Sequence, residues 1–170
     1  LGAAIATAML ENGADVIVAD LKEPAEDFSA AAASLGRKYF FEQVDLLDDG
    51  SVSDMTARAA ERTGRIDILV NAAGVNVLKP AEEYDTKSWD FVLGINLRGL
   101  HLVTREVGKV MIRQKYGRIL SISSVKSLLG TDTDYCAYCA SKGAVNMYTR
   151  QLACEWGKHG ITVNAIAPTF

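Results

Sequence analysis

Short runs of β-branched and aliphatic residues alternate along the chain with longer stretches whose apolar positions recur every three or four residues. These are the patterns of buried strands and of amphipathic helices. Gly2 to Glu11 reads as an Ala-rich helix stopped by Asn12-Gly13, because glycine after the last periodic residue supplies the left-handed turn that ends helices. Asp15–Asp20, an apolar run bounded by turn residues, reads as a buried strand. Pro24 suits a first helical turn and opens a helix ending at Gly36. A strand at Tyr39–Val44 precedes a helix that Asp48 can cap and that runs to Thr63. Ile66–Val70 reads as a third strand, and Thr86 to about Gln114 as a long helix weakened in its middle by Gly94 and Gly99. Tyr116-Gly117 turns into a strand at Arg118–Ser123, followed by a loop, a helix from about Tyr135 to Gly157 and a strand at Ile161–Ile166.

The strands are apolar throughout rather than alternating, which requires cover on both faces. The expected fold is therefore α/β: a doubly wound, Rossmann-type, mostly parallel sheet with helices on both faces. A length of 170 residues fits one domain with its own core. Hydrophobic residues at 49% and charged residues at 23% exclude a disordered chain. Lys+Arg 18 against Asp+Glu 21 leaves a net charge of -3, and no basic stripe favours a nucleic-acid partner. Glu11, Asn12 and Asp15 interrupt the longest apolar stretches, so no membrane span is expected. The odd set Cys136, Cys139 and Cys154 is a poor disulfide framework and fits a reducing, cytoplasmic setting. Cys136-Ala137-Tyr138-Cys139 matches C-x-x-C, but zinc needs about four ligands, and His101 and His159 lie far along the chain without ligand spacing. The cysteines read as small helix-facing thiols, with no metal.

Ligands of doubly wound sheets sit outside the carboxyl ends of the strands. Those ends are Asp20, Asp45-Leu46, Asn71-Ala72-Ala73-Gly74, Ser123-Ser124 and Ala167-Pro168, so small and polar residues gather along one edge. A carboxylate at Asp20 can accept both hydroxyls of an adenosine ribose and repel a 2′-phosphate, or it is a solvated strand end. Asp45 either reaches an adenine amino group or is a helix-capping aspartate. Tyr138 and Lys142 are four apart and share a helix face. An ammonium beside a phenol favours the phenolate and suits it to proton transfer near neutral pH. Such a pair is common by chance, but Ser124 lies fourteen positions earlier at a strand end. Its hydroxyl can hold a substrate oxygen while the phenol moves the proton. Ser123 is the rival, with its side chain on the opposite face of the strand. Asn96, between Gly94 and Gly99, is either a tolerated polar residue or a purposeful kink.

Taken in order, Asn71-Ala72-Ala73-Gly74, Asn96-Leu97-Arg98-Gly99, Gly117 to Ser124, Tyr138 to Lys142 and Val163 to Pro168 resemble the motifs of the short-chain dehydrogenase/reductase family. The resemblance implies NAD(P)-dependent interconversion of an alcohol and a carbonyl compound, with NAD favoured over NADP by Asp20. It implies Tyr138 as general acid/base, Lys142 lowering its pKa and binding the nicotinamide ribose, and Ser124 holding the substrate oxygen. Asn96 would keep a helix kink and a proton-relaying water. Gly2, Asp45, Leu46, Asn71, Ala73, Gly74 and Pro168 would contact or brace the cofactor. A sugar- or polyol-like secondary alcohol or ketone is the favoured small-molecule substrate. The alternatives are a 3-oxoacyl thioester reductase and, from another class, a non-catalytic nucleotide-sensing regulator. A homo-oligomer, tetramer or dimer, is implied through the two long helices.

The chain departs from the family at its ends. Leu1-Gly2 stands where the last two positions of a T-G-x-x-x-G-x-G turn would be, the strand before it is missing, and Thr169 replaces the usual glycine after Pro168. The expectation is a single NAD(P)-binding domain over residues 1–170, truncated at both ends and inactive by itself.

Overall fold

A computed structural model describes residues 1–24 and 27–169. Helix α1 (Gly2–Glu11) ends at Asn12, and Gly13 takes the left-handed conformation at φ 89. Strand β1 (Val16–Asp20) follows. Helix α2 spans Phe28–Ser34, with the Asp27 side chain accepting from the Ala30 N–H. The start expected at Pro24 is thus corrected: Pro24 precedes the helix, the cap is Asp27, and Ala25 and Glu26 lie outside the described residues. Strand β2 (Tyr39–Gln43) leads to α3 (Asp49–Thr63). Asp48 caps α3 as expected, accepting from the Ser51 N–H, and Gly64 ends it at φ 73. Strand β3 is Ile68–Asn71.

The long helix expected from Thr86 is three segments: α4 (Thr86–Leu93), a π-helical stretch at Gly94–Gly99, and α5 (Leu100–Gln114). Its two glycines do more than weaken a helix. A β-carbon at Gly94 would lie 2.8 Å from Leu47 Cδ2, and one at Gly99 2.8 Å from Leu46 Cβ and 3.0 Å from the Leu46 carbonyl oxygen. The widened turn therefore presses against the segment that follows β2. Strand β4 (Gly117–Ile122), helix α6 (Cys136–Trp156) and strand β5 (Ile161–Ile166) complete the order.

All strand pairs among the described residues are parallel, and they form two sheets rather than the single sheet read from the pattern. β1 pairs with β2, Val16 opposite Tyr39. The second sheet has the order β3-β4-β5, with Val70 opposite Leu120 and Leu120 opposite Asn164. β1 and β3 each pair along one edge only, so backbone groups on their other edges have no ladder partner there. Parallel alignment puts the carboxyl ends of each sheet together. One core packs Ala6 and Leu10 of α1 with Phe28 and Ala32 of α2 against Val16, Val18 and Tyr39. The larger one joins Val52 and Met55 of α3, Val103 and Met111 of α5 and Leu152 of α6 with Ile119 and Val163. Glu42 of β2 is buried and ion-paired to Arg58 and Arg62 of α3 at 2.6 and 2.5 Å. Burial opposes its ionisation, but the hydrogen bonds from both arginines outweigh that and hold its carboxyl below the usual glutamate range.

The turn from α6 into β5 offers a paired test. Gly160 has φ 74, and a β-carbon there would lie 2.6 Å from the Lys115 carbonyl oxygen. Gly160→Ala is expected to cost more than about 1 kcal/mol, seen as a lower urea midpoint at unchanged slope. Gly157 is helical at φ -53 with nothing within 4 Å of a built β-carbon. Gly157→Ala should raise the midpoint slightly, by about 0.4–1 kcal/mol.

Candidate active site

Four segments meet beside the carboxyl end of β4: the loop after β3, the π-helical turn, the end of β4 itself, and the first turns of α6. The helical spacing of α6 puts Tyr138 and Lys142 on one face, and the Lys142 ammonium lies 5.6 Å from the centre of the Tyr138 ring. Lys142 is only 3% exposed. Its Nζ donates to the Ile122 carbonyl of β4 at 2.7 Å, which fixes the ammonium against the sheet. Burial pushes this lysine below its ordinary range, because desolvation disfavours the charged form.

The two serines after β4 divide their roles. Ser123 is buried and its hydroxyl donates to the Lys142 carbonyl at 3.3 Å, clamping α6 to the strand. Ser124 Oγ accepts from the Lys126 N–H at 3.2 Å, leaving its hydroxyl hydrogen available as a donor. Tyr138 is half-buried and its ring meets Tyr135 edge-on at 6.0 Å. Lys126 extends over the Tyr135 ring, 4.7 Å from its centre.

Asn96 sits in the π-helical turn at 1% exposure. Its Oδ1 accepts from the Val75 N–H at 2.8 Å, and its Nδ2 donates to the Val75 carbonyl at 2.9 Å and to Ser141 Oγ at 3.1 Å. Ser141 in turn donates to the Tyr138 carbonyl at 2.7 Å. A continuous chain of hydrogen bonds thus links the loop after β3 to the helix turn bearing the tyrosine. Gly74 lies inside this junction, where a β-carbon would be 3.4 Å from Lys142 Nζ and 3.5 Å from Asn96 Oδ1. Asn71 donates to Thr104 Oγ1 at 3.0 Å and Ser121 Oγ at 3.3 Å, tying β3 to α5 and β4.

The remaining candidates lie along the carboxyl edges. Asp20 is exposed at the end of β1 and accepts from the Leu21 N–H at 2.7 Å through Oδ1. Asp45 Oδ1 accepts from the Leu47 N–H at 2.9 Å, a local turn, while the helix cap belongs to Asp48. Leu46 packs against the larger core. Ala73 and Gly74 are exposed after β3, and Pro168 accepts from the Val125 N–H through its carbonyl at 3.2 Å. Gly2 opens α1 close to Ala72, 3.7 Å between a built β-carbon and Ala72 Cβ. Leu1 gives that helix no side-chain cap. Sequence reasoning did not single out Ser141 or the Val75 backbone. Ser141 was findable at three residues after Tyr138, while the contact with Val75 depends on the π turn.

The sequence model of the short chain dehydrogenase family matches residues 1–170. The chain is 42% identical over 172 residues to the D-threitol dehydrogenase of Mycolicibacterium smegmatis, covering 99% of this chain and 65% of that protein. It is 37% identical over 169 residues to the NAD-dependent glycerol dehydrogenase of Listeria innocua, again covering 99% of this chain and 65% of the relative. The crystal structure of gox2181 superposes with a TM-score of 0.90 at 36% identity, over 99% of this chain and 67% of that one. The chain belongs to the short chain dehydrogenase family. It spans about two thirds of the length of these relatives.

Proposed function

We propose that the chain forms the nucleotide-binding and acid–base part of an NAD-dependent oxidoreductase acting on a secondary alcohol or ketone, with a polyol or sugar as substrate class. The observation that carries this reading is the buried Lys142 ammonium, anchored on Ile122 and facing the Tyr138 ring within the Asn96–Ser141 bond chain. The named activities of the threitol and glycerol dehydrogenases support the substrate class.

The residues present fit a nicotinamide dinucleotide. The uncapped start of α1 beside Ala72 offers free N–H groups to a pyrophosphate. The exposed Asp20 carboxylate would accept from ribose hydroxyls and repel a phosphate there. Asp45, Leu46, Asn71, Ala73, Gly74 and Pro168 border the same edge. NAD, when bound, supplies the hydride acceptor. Ser124 donates to the substrate oxygen, Tyr138 takes or returns the hydroxyl proton, and Lys142 opposes the charge that develops on the phenol oxygen. Asn96 holds the lysine's surroundings in place. No helix among the described residues is long and apolar enough to cross a membrane, and a cytoplasmic setting belongs to this reading. So does a homo-oligomer packed through α4, α5 and α6, where Phe91 of α4 and Met147 of α6 are exposed.

The unpartnered edges of β1 and β3 support the further proposal that the 170 residues alone are inert. The test is a fluorescence titration with NADH and NADPH. It compares this chain with one extended upstream by the strand and glycine turn that the family resemblance implies. Only the extended chain should bind, NADH more tightly, and Asp20→Ala should narrow the difference. Tighter NADPH binding would refute the role of Asp20. Absence of binding to either nucleotide would refute the oxidoreductase reading, and turnover by the 170 residues alone would refute their inertness.

A further inference from the structure

We propose that Cys136 and Cys139 form a dithiol modification site, which small-molecule disulfides close into an intrahelical disulfide around Tyr138. Cys136 is the first residue of α6 and Cys139 lies three residues on, so the two side chains share a helix face. Both are partly exposed. Both line one cavity of about 410 Å³ with Lys79, Asp132, Asp134 and Tyr135. Counting metal ligands along the sequence gives no reason to pair these thiols, whereas their common cavity does. It lets one small reagent reach both sulfurs.

In an α-helix the β-carbons of such a pair are about 5–6 Å apart, against about 3.5–4.5 Å in a disulfide. Tightening the first turn to 3₁₀ geometry, in which residues three apart eclipse, closes that difference. The start of the turn is not pinned by a side-chain cap from Tyr135, its N-cap residue. The Cys139 N–H bond to the Tyr135 carbonyl at 2.8 Å is the backbone bond exchanged. One cysteine attacks the reagent's disulfide, forming a mixed disulfide and releasing one small thiol. The other then attacks the cysteine sulfur, forming the Cys136–Cys139 bond and expelling the second small thiol. Two electrons pass from the cysteines to the reagent, and the two thiol protons end on the released thiols. Tyr138 lies inside the closed ring, so its phenol shifts relative to Lys142. That loss of function rests on the acid–base reading above, whereas the covalent step does not.

The test treats the folded chain with glutathione disulfide, quenches in acid and maps tryptic peptides by mass. The peptide of residues 127–142 should lose two hydrogens and carry no adduct. The peptide of residues 151–158, with the exposed Cys154, should gain one glutathione as the internal control. In Cys139→Ser, the first peptide should instead gain one glutathione. Two glutathiones on residues 127–142, or free thiols there beside a modified Cys154, would overturn the proposal. In a chain extended to bind NADH, oxidation should lower turnover about 10²-fold by misplacing Tyr138, reversibly with dithiothreitol. The variant carrying Cys136→Ser and Cys139→Ser should keep its turnover under the oxidant. Bridge formation with unchanged turnover would overturn the coupling to Tyr138, and a missing basal turnover would count against the acid–base reading alone.

Discussion

Tyr138→Phe, made in a chain extended to bind nucleotide, is expected to lower turnover about 10²–10⁴-fold, the usual span for loss of a general acid/base. The substitution removes one oxygen and keeps the ring. The edge-on contact with Tyr135, the Lys142 ammonium over the ring and the helix hydrogen bonds all survive it. NADH affinity and thermal midpoint should therefore stay close to those of the parent, separating a chemical defect from a folding one. Steady-state turnover, NADH titration and a melting curve on the same preparation make the comparison. Unchanged turnover would remove Tyr138 from the reaction and favour a water- or serine-based proton path.

The second large effect is expected at Asn96. Asn96→Ala deletes three hydrogen bonds at once and leaves the Val75 N–H and carbonyl without their partners. Each group left unpaired in a buried setting costs about 1–3 kcal/mol. Ser141 keeps its bond to the Tyr138 carbonyl but loses its link to the loop after β3. A urea midpoint should fall by more than for Gly160→Ala. At temperatures where the variant remains folded, turnover should drop as well, because the helix turn bearing Tyr138 loses its tie through Ser141 to the loop after β3. Asn96→Asp retains an acceptor for Val75 N–H but loses the amide donor. It should fall between the two on stability. A variant as stable as the parent would mean that the π turn is held by packing on Leu46 and Leu47 alone.

Local signals in the chain carried most of the fold. Asp48 as cap, the helix end at Thr63 and the strand Ile161–Ile166 depend on neighbouring residues only, and they stand where the pattern puts them. The start of α2 was misplaced because Pro24 and Asp27 both signal a helix start, and only Asp27 has an N–H at the right position to bind. The division at Gly94 and Gly99 was visible as weakness, but its form was not. A π turn there presses on Leu46 and Leu47, roughly fifty residues earlier in the chain. The same holds for the split of the strands into two sheets, which is a matter of partners rather than of composition. At the candidate site, spacing alone put Tyr138 and Lys142 on one helix face, and the ammonium lies 5.6 Å from the ring centre. Ser141 was not singled out: its spacing from Tyr138 is readable, but its bond to Asn96 depends on the π turn.

The anchoring of Lys142 on the Ile122 carbonyl has an evolutionary consequence. The groups proposed to handle the proton are mounted on the middle strand of a sheet and on a 21-residue helix, both of which change little when surface segments vary. The exposed residues 128–134 beside them share none of those bonds. Under the proposed function, mutation can therefore remodel these exposed residues without touching the bonds that hold Lys142 and Asn96. This separation makes the architecture a ready platform for descendants with new substrates.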